Sequence, residues 1–267
     1  MERYRLKNII ILILVLVNIS LLSSLLYRTS EEYGMLRRTE DELVELFAAS
    51  DITLERSAIS WADAPTGISM TRSPQREMEF ARVLLGEALE ETSQGGINTY
   101  RSSAGVVEFR SSGSFDALLF HFPEDTEAFC KNLCRSFSFS APVFALDEVG
   151  TGAATAVYEF EKHPVYNAVL TFSITEGRLT SLSGTLLPSE GTPIMEEDLL
   201  SCSAALTAFQ QMRREEGTVG SSILSTYRCY ELQNTPSAPM VLGGAWCIVT
   251  DIASYYVNCS TGAITVG

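Results

Sequence analysis

Few side chains in this chain of 267 residues have the types and spacing that catalysis requires. Of its two histidines, His121 lies between Phe120 and Phe122 in an apolar run, and His163 directly precedes a proline. Imidazole is the side chain best suited to acid–base chemistry near neutral pH. Either histidine is a candidate catalytic base, but neither sits in a known motif. A structural or surface role fits both of them better.

Several sequence motifs of well-known enzyme classes are missing. None of the three lysines, Lys7, Lys131 and Lys162, has a serine three positions before it, so the S-x-x-K nucleophile is absent. The sequence also lacks a G-x-S-x-G elbow, an H-E-x-x-H zinc motif, a P-loop and a dinucleotide-binding fingerprint. We therefore expect a protein that is not an enzyme and that holds no metal or cofactor.

The sequence contains six cysteines: Cys130, Cys134, Cys202, Cys229, Cys247 and Cys259. An even number permits disulfides in an oxidising compartment, but no spacing selects one pairing among the fifteen that six cysteines allow. Cys130 and Cys134 lie four positions apart on a predicted helix, which places them on one face. That spacing suits a metal pair or a redox pair. Burial as small hydrophobic side chains explains it better, because C-x-x-C motifs are absent.

Acidic residues form three short clusters, at positions 124–125, 147–148 and 196–198. Each cluster lies at a predicted helix start or in a loop, where carboxylates stabilise the positive end of the helix dipole. Two carboxylates at the separation that glycoside hydrolysis needs would instead indicate an envelope hydrolase. Helix capping is the simpler explanation of the three clusters. An envelope hydrolase is therefore the least favoured of the three functional hypotheses that we consider.

The N-terminal segment has the composition of a membrane helix. The run from Ile9 to Leu26 is apolar and nearly matches a hydrocarbon core of roughly 30 Å. Its polar residues are Asn18, Ser20, Ser23 and Ser24. Basic residues precede the run, which predicts a cytoplasmic N-terminus and an extracytoplasmic remainder. A cleaved signal peptide is the alternative, but the run is long for a signal peptide and no A-x-A cleavage site follows. We therefore predict a single-pass protein of the cell membrane.

Charge and length restrict the possible partners and the number of domains. The formal net charge is −14, and a strongly acidic surface repels nucleic acid, so we expect no nucleic-acid partner. Hydrophobic residues make up 46% of the chain, which excludes global disorder. The part after the apolar run is long enough for one large domain or two small ones.

Periodicity predicts helices and strands in an order that repeats. A polar helix over 30–49 continues the apolar run and serves as a stalk or a short coiled coil. A helix over 74–91, strands over 97–100, 105–110 and 115–122, and a helix over 124–137 follow. The second half has strands over 153–161, 165–175 and 178–187, a helix over 194–216, and strands over 222–232, 245–251, 254–258 and 263–266.

This order predicts an α+β protein: one transmembrane helix, then two small modules, each an antiparallel sheet with helices. The predicted boundaries are a cytoplasmic tip over 1–8, a transmembrane helix over 9–27, a stalk and linker over 28–60, a first module over 61–150 and a second module over 151–267.

The second half resembles the YycI/YycH family of membrane-anchored regulators of Gram-positive bacteria. The resemblance rests on HPVYNAVLTFSITEGRLTSLSGTLLP, the helix from Ile194 and the ending GAWCIVTDIASYYVNCSTGAITV. The ending also resembles the PepSY module, where a tryptophan strand leads to a second strand and a threonine–glycine turn. Here those elements are Trp246, Tyr255, Tyr256, Val257, Asn258, Thr261, Gly262 and Ile264. The resemblance covers roughly 153–266 and the anchor.

The family resemblance implies cystatin-like or PepSY-like modules and an accessory role without catalysis. Such proteins regulate a two-component sensor histidine kinase, here expected alone or beside a paralogous accessory protein. The resemblance implies that contact is made through the membrane helix, and a continuous stalk would transmit its movement. On this reading, the partner-binding residues are Asn18, Ser20, Ser23 and Ser24 in the membrane, with Leu36 and Leu43 on the stalk. The four polar side chains bond either a neighbouring helix or their own helix.

A second hypothesis follows from the PepSY resemblance. It makes the chain a binding or inhibitory module for an envelope protease or a peptide. Exposed apolar surface around the hairpin from Trp246 to Tyr256 would favour it, since contiguous apolar patches mark interaction sites.

Overall fold

The computed structural model describes residue 14, residues 17–18 and 20–22, and residues 34–196, 198–216, 220–233 and 240–267. From residue 34 onward the helices are α1 (34–48), α2 (Pro74–Leu85), α3 (Thr126–Ser136) and α4 (Cys202–Glu216), with a 3-10 turn at Arg56–Ala58. Most of the remaining regular structure is β-strand.

The helix starts are set by capping side chains. Ser73 accepts a hydrogen bond from the backbone N–H of Arg76, and Pro74 occupies the first position of α2, where its missing N–H has no cost. Asp125 caps α3 by accepting the N–H of Ala128 at 2.9 Å. These contacts confirm the helix predicted to open at Pro74, and the helix that we expected over 124–137.

Two helix boundaries differ from the prediction. The helix that begins at Pro74 ends at Leu85 rather than near residue 91, because Gly86 has a φ of 85° and breaks it. The residues after Gly86 then lead into a strand. The helix predicted from Ile194 begins only at Cys202, and residues 194–196 and 198–201 are not helical.

The strands number fifteen in the described residues. They are β1 (Thr53–Leu54), β2 (Ile68–Met70), β3 (Glu90–Gln94), β4 (Ile97–Ser102), β5 (Gly105–Phe109), β6 (Ser114–Leu119), β7 (Val143–Leu146), β8 (Gly152–Phe160), β9 (His163–Thr175), β10 (Arg178–Thr185), β11 (Thr192–Pro193), β12 (Ser222–Gln233), β13 (Met240–Thr250), β14 (Ser254–Asn258) and β15 (Ile264–Val266). The predicted strands of both halves are confirmed, with ends shifted by a few residues.

All fifteen strands belong to one mixed sheet, which corrects the predicted fold of two separate antiparallel modules. The main path runs β11-β2-β13-β12-β9-β10-β6-β5-β4-β3, with β7 and β8 beside β9, and β14 and β15 beside β13. Most pairs are antiparallel, but β1 pairs parallel with β12, and β12 pairs parallel with β9 at Tyr230 and Val165.

Both predicted antiparallel meanders are present, but a strand of the first meander pairs with a strand of the second. β6 pairs antiparallel with β10, so that Phe115 lies opposite Gly184. A Cβ at Gly184 would lie 2.8 Å from the carbonyl oxygen of Val169, so the absence of a side chain permits close packing of β10 on β9 beside this junction. The boundaries predicted at 150 and 151 remain a prediction about folding units.

Two hydrophobic cores lie on the faces of this sheet. The first is covered by α2 and α3 and centres on the rings of Phe80, Phe109 and Phe115. The second is covered by α1 and α4 and includes Phe47 and Trp246, both fully buried. Packing of a helix layer on one face of a sheet buries the apolar stripe of each helix.

The predicted transmembrane helix is not found in the described residues. Residues 14, 17–18 and 20–22 are helical, but the rest of 9–27 lies outside the described part, as does the tip over 1–8. In that part no helix is long and apolar enough to cross a bilayer. This finding overturns the predicted single-pass topology and membrane localisation.

Candidate protein-interaction site

The two histidines stand apart from any catalytic arrangement in the described residues. His121 is exposed, and its Nδ1 lies 3.1 Å from the carbonyl oxygen of Ser103. His163 begins β9, with its ring 6.5 Å from that of Tyr230, and burial lowers the pKa of its imidazole. Among the described residues the ring of His163 has no hydrogen-bond partner, and the ring of His121 has only the backbone carbonyl of Ser103.

The six cysteines are free thiols, and all are buried. Cys130 and Cys134 face into the first core from α3, beside Leu133. Burial raises the pKa of both thiols from an ordinary 9.0 to about 12. A thiol of that pKa is protonated at neutral pH and is neither a nucleophile nor a ready metal ligand. The cysteines pack as small hydrophobic side chains, and the described residues contain no group of three or more side chains placed to hold a metal ion.

The acidic clusters have local structural roles. Asp125 caps α3, as predicted, and Asp147 accepts the backbone N–H groups of Val149 and Thr151 in the turn between β7 and β8. Glu196 accepts a hydrogen bond from Ser260 at 3.0 Å, in a loop rather than in a helix start. Residue 197 lies outside the described residues. These carboxylates therefore fix turns and loops.

In the described part of the chain, the buried Glu77 pairs with the half-buried Arg72, which the sequence patterns did not indicate. Glu77 is only 3% exposed, and its carboxylate accepts hydrogen bonds from Arg72 and from Asn98, the latter at 2.9 Å. Arg72 also donates to the backbone oxygens of Gly96 and Phe109. The network ties the start of α2 to the hairpin of β4 and β5, which is a structural role.

Helix α1 is fastened to the body of the protein at its C-terminal end. Leu43 is 5% exposed and Phe47 is fully buried, with the Phe47 ring 6.4 Å from that of Phe209 on α4. Just beyond α1, Ser50 accepts a hydrogen bond from Gln210 at 2.6 Å on its hydroxyl, and one from Arg213 at 2.9 Å on its carbonyl. Leu43 therefore lies inside the molecule, at the base of the predicted stalk.

A second set of contacts holds the flank of α1. Trp61 donates from its indole Nε1 to Glu40 at 2.8 Å, and Arg56 pairs with Asp41. Because both partners lie in the segment that follows β1, α1 is attached on two sides. Burial and these polar contacts together make α1 a fixed part of the fold from residue 40 to its end.

The N-terminal end of α1 is open. Met35 is 67% exposed and Leu36 is 36% exposed, about two turns before the buried Leu43. Between α1 and α4 lies a groove of about 290 Å³, which we call the α1–α4 groove. It is lined by Thr39, Glu42, Leu43, Leu46, Ser203, Ala204 and Thr207. The α4 wall of this groove consists of small side chains, which allows close approach of another chain. This is the candidate interaction site.

The predicted site residues in the apolar segment are only partly described. Asn18 is exposed and donates from Nδ2 to the carbonyl oxygen of Leu14 at 2.9 Å, which is a bond within its own helical segment. Ser20 is helical and exposed. Ser23 and Ser24 lie outside the described residues. Of the six predicted residues, the structure therefore brings together only Leu36 and Leu43, on α1.

The hairpin from Trp246 to Tyr256 does not expose its tryptophan. Trp246 is fully buried and donates from Nε1 to the carbonyl oxygen of Leu200 at 2.8 Å. On the opposite face of the sheet, Tyr256 stacks on Tyr166 with ring centroids 3.7 Å apart. The apolar surface that would favour a binding role for this hairpin is thus mostly interior.

Comparison with known proteins found similarity only to solved structures. No family model matches it, and no curated protein matches it. Among solved structures, an uncharacterized protein from Eubacterium rectale aligns with 10% identity and a TM-score of 0.40, covering 80% of this chain and 85% of that one. The C-terminal domain of Bacillus megaterium YpeB aligns with 13% identity and a TM-score of 0.37, covering 74% of this chain and 98% of that domain. With TM-scores below 0.5, neither likeness supports a conclusion about function.

Proposed function

We propose that this protein is an accessory regulator of a two-component sensor histidine kinase, acting by protein–protein contact through α1 and the α1–α4 groove and without catalysis. The observation that carries the proposal is the contrast along α1. Its first turns expose Met35 and Leu36, whereas its last turns are buried in the second core. A helix held at one end and exposed at the other offers a partner a surface of fixed geometry.

The chemistry of the surface supports contact with another helix. In the α1–α4 groove, a wall of α1 that includes Leu43 and Leu46 faces small residues of α4: Ser203, Ala204 and Thr207. A partner helix can lie against such a surface with apolar side chains spaced three or four positions apart. Ridges and grooves of this kind are how helices pack in soluble proteins.

The attachment of α1 also supports a regulatory role. A force or tilt applied at Leu36 reaches the sheet through Phe47 and Phe209, because these rings are in the same packed core. Coupling between distant sites is carried by rigid elements of this sort. On this proposal, α1 and the sheet behind it respond to the kinase as one body.

The choice of a sensor kinase as the partner rests on the resemblance to the YycI/YycH family in the second half of the chain. The segments on which that resemblance rests form β9, β10, α4 and β13 to β15. Because α4 is one wall of the α1–α4 groove, the resembling part and the proposed contact surface overlap at this helix.

The test compares two exposed leucines in the organism that carries the gene. The gene is deleted, then restored as the unchanged sequence, as Leu36→Asp or as Leu224→Asp, and phosphorylation of each response regulator is measured on phosphate-affinity gels. Leu224 is 59% exposed on β12, away from α1, and is the matched control. We expect deletion to change the phosphorylation of one response regulator, and Leu224→Asp but not Leu36→Asp to restore it.

Two results would count against the proposal. One is that deletion changes the phosphorylation of no response regulator. The other is that Leu36→Asp restores phosphorylation as well as the unchanged sequence does, since a charged residue in the contact should prevent packing.

A further inference from the structure

The edge strand β7 is an unusual sheet edge. Within the described residues it pairs only with β8, so its outer side has no strand partner. Its sequence is Val-Phe-Ala-Leu, with Val143 70% exposed and Leu146 42% exposed. Proteins normally protect such edges with charges, because an open apolar edge invites another strand. The edge strand β3 at the end of the main path has that protection, with Glu90 and Glu91.

The backbone groups that face outward on β7 follow from the pairing. The N–H of Asp147 donates to the carbonyl oxygen of Thr151 at 2.9 Å, and a Cβ at Gly152 would lie 2.1 Å from the carbonyl oxygen of Ala145. Both observations show that the N–H and C=O groups of the odd-numbered residues of β7 point toward β8. Since hydrogen bonding alternates along an antiparallel strand, the N–H and C=O groups of Phe144 and Leu146 point away from β8.

A cleft lies next to this edge. It has a volume of about 590 Å³, and its apolar floor is formed by Phe144, Leu146 and Ile174. Thr126 donates to the carbonyl oxygen of Gly177 at 2.8 Å, which fixes the start of α3 over the turn between β9 and β10. The cleft is therefore closed on the α3 side, where a hydrogen bond joins α3 to the β9–β10 turn. It is open on the side of the β7 edge.

The far wall of the cleft is acidic. Glu124, Asp125 and Glu127 line it at the start of α3. The neighbouring turns, joined by a hydrogen bond from the Gly177 N–H to the Gly150 oxygen, add the exposed Asp147, Glu148 and Glu176. The nearby cations are Lys131, which pairs with Glu127, and Arg178, which lies over the ring of Phe122. Carboxylates outnumber cations here, and Glu124 has no ion-pair partner among the described residues.

We propose that the β7 edge and this cleft bind an extended segment of a protein partner in which apolar and basic residues alternate. The segment adds a strand to the sheet by bonding the outward backbone groups of Phe144 and Leu146. Its basic side chains lie on the cleft side, with their aliphatic stems on Phe144 and Leu146 and their charges near Glu124. Its apolar side chains cover Val143 and Ala145 on the other face. This site is separate from α1, so it does not rest on the proposed kinase contact.

The experiment uses the full chain and a fluorescein-labelled nonapeptide of alternating valine and lysine, with binding followed by fluorescence anisotropy. Leu146→Pro removes an outward N–H and the side chain, whereas Leu146→Ala removes only the side chain. We expect affinity to fall about tenfold for Leu146→Pro and about twofold for Leu146→Ala, since the lost backbone bond adds to the lost contact. Glu124→Gln should weaken binding, while Glu90→Gln on β3 should not. A nonapeptide of alternating valine and glutamate should fail to bind.

Amide hydrogen exchange in the unchanged protein gives a second measurement that does not depend on a variant. Saturating valine–lysine peptide should slow exchange at Phe144 and Leu146, whereas Val143 and Ala145 are already bonded to β8 and should change little. The proposal is overturned if the peptide does not bind, if exchange at Phe144 and Leu146 is unaffected, or if Glu90→Gln weakens binding as much as Glu124→Gln does.

Discussion

Some residues have structural roles that the periodicity of the sequence does not indicate. Glu77 is an example: its position on α2 suggests an exposed charge, yet it is buried with Arg72 and Asn98. Arg72 lies before the helix and Asn98 lies on a strand, so no helical spacing relates the three. The burial of the cysteines, in contrast, could be expected. The sequence has no C-x-x-C motif, and a cysteine outside such a motif behaves as a small hydrophobic residue.

Replacement of Glu77 by glutamine should destabilise the fold. Glu77→Gln keeps the shape but leaves the half-buried Arg72 without its counter-charge, and breaking a buried pair costs about 3 kcal/mol. Urea unfolding followed by circular dichroism measures the loss. Glu127→Gln is the control, because its pair with Lys131 is exposed and should matter by less than about 1 kcal/mol. Equal losses for the two variants would refute the structural role given to Glu77.

The cysteines should make stability depend on alkaline pH. Burial raises the pKa of Cys130, Cys134 and Cys259 to about 12, from an ordinary value of 9.0. Between these values the unfolded chain releases thiol protons and the folded chain keeps them, so the free energy of unfolding should fall as pH rises above about 9.

Thiol labelling directly measures the burial of the cysteines on which this expectation depends. At pH 8 the native protein should react slowly with a disulfide reagent, whereas the protein in denaturant should release the signal of all six cysteines. Fast reaction of any cysteine in the native state would contradict the burial described here.

At the scale of helices and strands, the sequence was informative because periodicity and capping are local. The starts of α2 and α3 follow from Ser73, Pro74 and Asp125. The ends were harder to predict. Gly86 ends α2 early by adopting a positive φ, although the residues after it also fit a helical pattern. The strand β7 was not predicted at all, because four residues are too few for a reliable alternation.

The candidate site shows the same limit. Helical spacing correctly placed Leu36 and Leu43 on one helix, but it did not show that Leu43 is buried against α4 while Leu36 is exposed. That distinction depends on a helix more than 150 residues later in the chain, and no local pattern reports it.

Truncation of Phe47 should show how strongly α1 is held. Phe47→Ala removes a fully buried ring that contacts Phe209, and such changes cost about 3–5 kcal/mol. Leu36→Ala, on the exposed end of the same helix, should change the free energy of unfolding by less than about 1 kcal/mol. Thermal unfolding of the two variants is the measurement. A small effect of Phe47→Ala would mean that α1 is only loosely attached.

At the scale of the whole molecule, the two halves share one sheet. The prediction of two separate modules was wrong because strand order along the chain does not reveal which meander edges pair. The β6–β10 pairing joins strands more than 60 positions apart, and the parallel pairing of β12 with β9 brings α4 and its strands onto the same sheet. Contacts of that range are decided by edge complementarity and core packing, which a pattern of strands and helices does not contain.

A shared sheet predicts cooperative unfolding. In a Trp61→Phe variant, Trp246 fluorescence reports the second core, and mass spectrometry after thiol labelling of Cys130 and Cys134 reports the first. The two probes should give the same midpoint in urea, as expected for one cooperative unit. Two clearly separated midpoints would instead support folding units that divide near residue 150.

The central claim is that the exposed start of α1 contacts a sensor kinase. The most direct measurement is photocrosslinking in cells from benzoylphenylalanine at positions 35 and 36, with positions 195 and 224 as exposed controls, and identification of the captured proteins by mass spectrometry. The account predicts that positions 35 and 36 capture the same sensor histidine kinase and that the controls do not. Capture of no kinase from α1, or of the same proteins from all four positions, would contradict it.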